Sequence, residues 1–223
     1  MDVTKYSIEN YFLDINFKNY QQILLPPLSD LNLPDFIPDS WLRYIEGKIG
    51  LVELVDQIWG PVASFLPKTV AAIKKKTAQV CVLQSGHNFS LLYFFTLENE
   101  IRSRIAYSPI FNISNRLKLL DPSVQKLYSV VHNGFIDFVS KDAGFLPQDK
   151  IEIFVDETTK KNSFIKIFSS GTNILGFDIS TEIYSPYIIW GSDEEIEKVD
   201  DFWMELDEWI ADDLEGFDEY MDL

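Results

Sequence analysis

The side chains best suited to nucleophilic, acid–base or metal chemistry in this 223-residue sequence are two histidines, His87 and His132, and one cysteine, Cys81. A metal site wants His, Cys or carboxylate ligands at short helical or loop spacing, and neither histidine has such a partner three or four residues on. Cys81 lies in the apolar string Val80-Cys81-Val82-Leu83, the pattern of a buried strand, with no local base to lower its thiol pKa. A Gly-x-Ser-x-Gly nucleophile elbow is absent, and so is a glycine-rich phosphate loop. Neither a metal nor a cofactor is expected.

Carboxylates remain. The chain carries 35 Asp and Glu against 19 Lys and Arg, a formal charge of −16, and their placement is uneven. From Gly191 to Leu223 there are fifteen acids and one lysine, whereas the first 190 residues hold twenty acids and eighteen bases. A pair of close acids in a pocket can hydrolyse glycosides. Here the acids crowd onto what reads as one exposed helix face, where repulsion and solvation dominate. A nearly neutral body with one acidic end suits a partner with a basic surface and disfavours direct nucleic-acid binding, which needs clustered Lys and Arg. A non-enzymatic binding role is expected. The alternatives are a scaffold or regulatory binder and a carboxylate-based hydrolase with an unseen cleft.

The element that must position those acids is a C-terminal helix. Ser192 and Glu195 have the spacing of a capping box. Ile196, Val199, Trp203, Leu206 and Ile210 then recur at three- and four-residue spacing, with Phe202 and Trp209 beside them. On the opposite face fall Glu194, Glu197, Asp201, Glu205, Glu208 and Asp212. The expected partner-binding residues are Glu197, Asp201, Glu205, Glu208 and Asp212, with Asp218 and Glu219 beyond a stop at Gly216. Trp209 and Phe217 are the aromatics expected to be partly exposed.

Upstream, the four prolines between Leu25 and Asp39 predict an extended wrap anchored by Leu28, Leu31, Leu33, Phe36 and Ile37. Tyr11, Phe12, Ile15 and Tyr20 suggest a helical face before it. Ser40 is expected to cap a helix from Trp41, weakened by Gly47 and Gly50 into two pieces ending at Gly60-Pro61, and another helix should finish on Lys74, Lys75 and Lys76. Strands are expected over 79–84, 89–96 and 101–113, then 151–155, 163–169, 173–179 and 187–190. Between the two sets, Asp121 should cap a Pro-led helix with Val124, Leu127, Tyr128 and Val131 on one face, His132 in its last turn and Asn133-Gly134 as its stop. The class is α+β, a mainly antiparallel sheet flanked by helices. No apolar run reaches the roughly 20 residues that span a bilayer. The opening residues lack the basic and apolar parts of a secretory leader, so a cytoplasmic location is expected.

Between residues 113 and 214 the order of features resembles the SUKH family of toxin-neutralising immunity proteins. The Pro-led segment Pro122-Ser123-Val124-Gln125-Lys126-Leu127-Tyr128-Ser129-Val130-Val131-His132-Asn133-Gly134-Phe135 is similar to a helix common in that family. It is followed by Phe145-Leu146-Pro147-Gln148-Asp149-Lys150-Ile151, by the strand Ile174-Leu175-Gly176-Phe177-Asp178-Ile179, and by Pro186-Tyr187-Ile188-Ile189-Trp190. An acidic turn then enters a helix bearing Phe202 and Trp203. The resemblance implies a SUKH-like fold over 113–223, with 1–112 an unmatched helical and meander region packed on it. It also implies a cytoplasmic protein that occludes the active or substrate-binding site of a cognate bacterial toxin. Some relatives are eukaryotic regulators that bind signalling partners. No catalytic residues carry over.

Overall fold

The structure is a computed structural model that describes residues 17, 20, 22–28, 37–97, 100–155, 163–181, 184–191 and 195–215. The helical face proposed for Tyr11, Phe12 and Ile15 lies outside them, as do Leu31, Leu33, Phe36, Ser192, Glu194, Phe217, Asp218 and Glu219. Among the described residues the class is α+β, with five α-helices and one antiparallel sheet of eleven strands. The helices are α1 (Asp39–Ile45), α2 (Leu51–Trp59), α3 (Pro67–Lys76), α4 (Pro122–Lys126) and α5 (Phe202–Glu215). None is long and apolar enough to cross a membrane.

Strands β1 (Gln22–Leu24), β2 (Thr77–Ser85), β3 (Asn88–Thr96), β4 (Ile101–Tyr107), β5 (Phe135–Asp137) and β6 (Gly144–Phe145) are neighbours in chain order. The sheet continues through β8 (Ser163–Ser170), β9 (Asn173–Asp178), β10 (Ser185–Trp190) and β11 (Glu195–Lys198), while β7 (Ile153–Val155) pairs with β8 off this path. β4 pairs with β5 through Ile105 and Ile136, so the sheet runs without a break past residue 113.

Strand alternation sorts the apolar residues into two layers. Val80, Val82, Leu91, Tyr93, Phe95, Phe135, Ile165, Leu175 and Ile188 belong to the main core under the helices. Cys81, Leu83, Leu92, Phe94, Ile105 and Ile136 form a smaller cluster on the other face, with Phe17, Tyr20 and Tyr107 packed at its margin. Burial pushes the Cys81 thiol well above its ordinary range, which suits a packing role and leaves little thiolate for chemistry.

Helix starts differ in detail from expectation. α1 begins at Asp39 after Pro38, and no side chain caps it, so Ser40 lies inside the helix. The two-piece reading of 41–60 corresponds to α1 and α2. The Asp121 carboxylate does cap α4, accepting the Ser123 N–H at 2.8 Å. Val124, Leu127, Tyr128 and Val131 are all buried, and the helix widens into a π-helical turn over Leu127–Val131. His132 is already extended, not helical, and its N–H reaches back to the Leu127 carbonyl at 3.1 Å. Gly134 follows at φ +96°, where an added Cβ would stand 2.6 Å from the Pro147 nitrogen, so only glycine fits both the backbone and the gap. The strand expected over 101–113 ends at Tyr107, and the one expected over 151–155 begins at Ile153.

The largest correction falls at the C-terminal helix. Glu195–Lys198 is strand β11, a hairpin partner of β10 with Glu197 opposite Ile188. Glu195 therefore closes no capping box, and Glu197 is a strand residue. The helix starts at Phe202, and its cap is Asp201, whose Oδ1 accepts the N–H groups of Trp203 at 2.8 Å and Met204 at 3.2 Å. The stripe that docks is Phe202, Leu206, Ile210 and Leu214, whereas Ile196 faces solvent.

Candidate acidic interface and a buried histidine

Two carboxylates of α5 turn inward and fix it. Helix α3 begins with Pro67 after Leu66 and has no cap of its own. Asp207 supplies one from 139 residues away in the chain, accepting the Lys68 N–H at 2.9 Å and the Thr69 N–H at 2.7 Å. Thr69 returns the contact, its hydroxyl donating to the Asp207 carbonyl at 3.2 Å. Near the far end of α5, Asp213 pairs with Arg104 of β4, a side chain only 5% exposed whose other nitrogen donates to the Ala143 carbonyl at 2.8 Å. Burial raises the Asp213 carboxyl above its ordinary pKa, opposed by the guanidiniums of Arg104 and Arg102.

With those anchors in place, the outer acids take defined positions. Asp201 is exposed at the helix start, and Glu205, Glu208 and Asp212 are half-buried along the shaft. Glu197 joins them from β11, its Oε2 accepting the Trp190 indole N–H at 2.9 Å. The Glu205 carboxyl is raised by partial burial and then by the charges of Glu208, Glu197 and Asp201, which places four of the expected residues within electrostatic reach of one another. The far part of the ridge is partly neutralised, because Lys68 forms an ion pair with Glu208 and also feels Asp207 and Asp212. Glu197, Asp201 and Glu205 therefore make up the more strongly negative part. Met204, 53% exposed, sits in the same helical row as Asp201 and Glu208. Trp209, expected to be partly exposed, is half-buried and packs edge-on to Phe168 at 5.7 Å.

The sequence reading missed Asp207 and Asp213 because it assigned only the acids of the outer face and left these two without a role. A signal was present for the first: Trp203, Asp207, Ile210 and Leu214 share one helical row, which puts a carboxylate among apolar residues.

His132 is fully buried. Its Nε2 lies 3.1 Å from the Tyr93 hydroxyl, which in turn receives the Trp59 indole N–H at 3.4 Å. Trp59 can only donate, so the tyrosine proton is free for His132 Nε2, leaving the imidazole neutral with its proton on Nδ1. No described atom meets hydrogen-bond geometry at Nδ1. Burial depresses the imidazole pKa to about 3, with the Tyr107 carbonyl pulling weakly the other way. Rings of Trp59, Trp41 and Phe135 enclose it at 5.4, 5.9 and 6.5 Å. This is a packing position closed to substrate.

It has a consequence for acid stability. The unfolded chain's imidazole takes up a proton below about pH 6.5 and the folded one does not until about pH 3, so this residue's share of stability is present above that window and falls as pH drops through it. By pH 5 the loss amounts to about 2 kcal/mol. Urea unfolding of the wild type and His132→Phe at pH 7 and pH 5 checks this. The variant should lose less on acidification by about that amount, the carboxylates being common to both; equal losses would show that His132 is protonated in the fold.

A separate cleft of about 620 Å³ opens where the β2–β3 turn meets the end of β4 and the loop Pro147–Lys150. Its lining includes His87, Tyr20 and Tyr107, and Asp149 is the single acid among the described residues that line it. None of the expected binding residues lies there.

Compared with known proteins, the chain matches no family model, no curated protein and no solved structure.

Proposed function

We propose that this protein is a SUKH-like immunity protein of the cytoplasm, which binds a cognate bacterial toxin and occludes its active or substrate-binding site with the acidic surface formed by β11 and α5. The observation that supports this most is the gathering of Glu197, Asp201 and Glu205 on one surface, with the helix that carries two of them tied down by Asp207 and Asp213. A surface held this firmly loses little conformational entropy on docking. Many toxins that act on nucleic acids present a basic groove, and carboxylates fixed in a row can take the place of phosphates there. Met204 offers an apolar contact inside the charged surround, the arrangement in which interface residues contribute most.

The test is titration of the full-length protein against the protein encoded beside it, at low and at high salt. Wild type should bind with an affinity that falls as salt rises, and Glu197→Lys with Glu205→Lys should weaken binding by about 100-fold and flatten the salt dependence. Those two positions are preferred because Asp201 caps the helix and Glu208 already holds Lys68. If the double reversal leaves both affinity and salt dependence unchanged, the acidic surface is not where the partner docks.

A further inference from the structure

We propose that the cleft between the β2–β3 turn, the end of β4 and Pro147–Lys150 is a binding site for a small neutral saccharide. Its floor supplies the first reason. Ser90 is 5% exposed, lies directly across β3–β4 from Tyr107, and shares the sheet face of Leu83 and Leu92. The residue lines the floor of the cleft. The small serine beside a tyrosine leaves a polar depression in an otherwise apolar face.

The walls decide the class of ligand. The cleft has the size of sites that take small molecules, roughly 300–1,000 Å³. Its two charged residues leave little for an ionic ligand. Lys150 donates its ammonium to the Lys141 carbonyl, 2.5 Å away, and lies 3.9 Å from Asp142, which offsets part of its charge. The negative charge of Asp149 opposes an anion further, and burial, followed by that charge, raises the Tyr107 hydroxyl above its ordinary pKa. What remains is a mixture of neutral donors and acceptors from Ser90, Tyr107, Asn88 and Asn112. At the rim, Phe111 is 93% exposed, an aromatic face left to solvent. Sugar rings need that combination: hydroxyls that both donate and accept, and a C–H face that lies on an aromatic ring. The walls are firm, because Asn133 accepts the Gln148 N–H at 2.8 Å and Gln148 accepts the Ser114 N–H at 3.1 Å.

The experiment is saturation-transfer NMR on the full-length protein with millimolar maltose, cellobiose, lactose and N,N′-diacetylchitobiose, and with adenosine as a neutral aromatic comparator. At least one disaccharide should receive saturation through its ring protons. Phe111→Ser, which alters only an exposed side chain, should weaken that binding by about fivefold without moving the thermal midpoint, and Asn112→Ala should weaken it independently. Silence from every disaccharide, binding of adenosine alone, or a signal indifferent to both substitutions would each overturn the assignment.

Discussion

Asp207→Ala should destabilise the folded protein by about 3 kcal/mol, far more than removal of any other acid on the same helix except Asp213. The carboxylate accepts two backbone N–H groups in a buried setting, and both become unsatisfied when it is lost. Each such donor costs about 1–3 kcal/mol, and bonds to a charged acceptor lie at the upper end. Asp207→Asn should cost about half as much, since one amide oxygen remains to accept. Glu205→Ala, a few ångströms along the same helix, should change stability by no more than about 0.5 kcal/mol. Urea denaturation of the three variants separates the roles. Equal effects of Asp207→Ala and Glu205→Ala would show that the cap contributes nothing.

A second large effect is expected at the other anchor. Arg104→Met should cost about 2–3 kcal/mol at neutral pH, because it strips the nearest partner from a carboxylate that is only 22% exposed. Asp213 already has a raised pKa with the arginine present, and without it the carboxyl rises further. The sign follows. In the variant the folded state holds a proton that the unfolded chain releases above about pH 4, so the deficit should grow with pH through that window and shrink on acidification. Adding Asp213→Leu should recover much of the loss, since an apolar pair removes the stranded charge. A deficit that is the same at pH 5 and pH 7, and that the second substitution leaves in place, would show that the pair is not buried in the way described.

These residues mark the boundary between what sequence patterns reveal and what they do not. Long apolar runs bounded by turn residues identified β2, β3, β8, β9 and β10 to within a residue or two, because burial on both faces leaves an uninterrupted signal. The Asp121–Pro122 start and the face of Val124, Leu127, Tyr128 and Val131 were equally clear. Four of the five strands of two to four residues escaped, β7 being the exception: β1, β5, β6 and β11 are too short to show a period, and their pairing is imposed by neighbours elsewhere in the chain. β11 was misread for a physical reason. Ile196 and Val199 happen to continue the helical spacing of Leu206 and Ile210 backwards, while Glu195, Glu197 and Lys198 are polar enough to suit either element. The better cap, Asp201 just before Phe202-Trp203-Met204, competed with a box-like spacing at Ser192 and Glu195. Of the acids, the sequence shows that they are many and clustered in one segment. It shows neither that Asp213 turns inward nor that Lys68 offsets Glu208, since both depend on contacts across more than 100 residues.

Helix α3 precedes by 139 residues the carboxylate that holds its first turn. During synthesis Lys68 and Thr69 leave the ribosome long before Asp207 exists, and Arg104 waits similarly for Asp213. The early part of the chain must then persist as a loose assembly, its first-turn amides solvated, until a late segment locks it. Closing so wide a loop carries a high entropic toll before any contact repays it, so folding should be slow and its final step should draw both ends together at once.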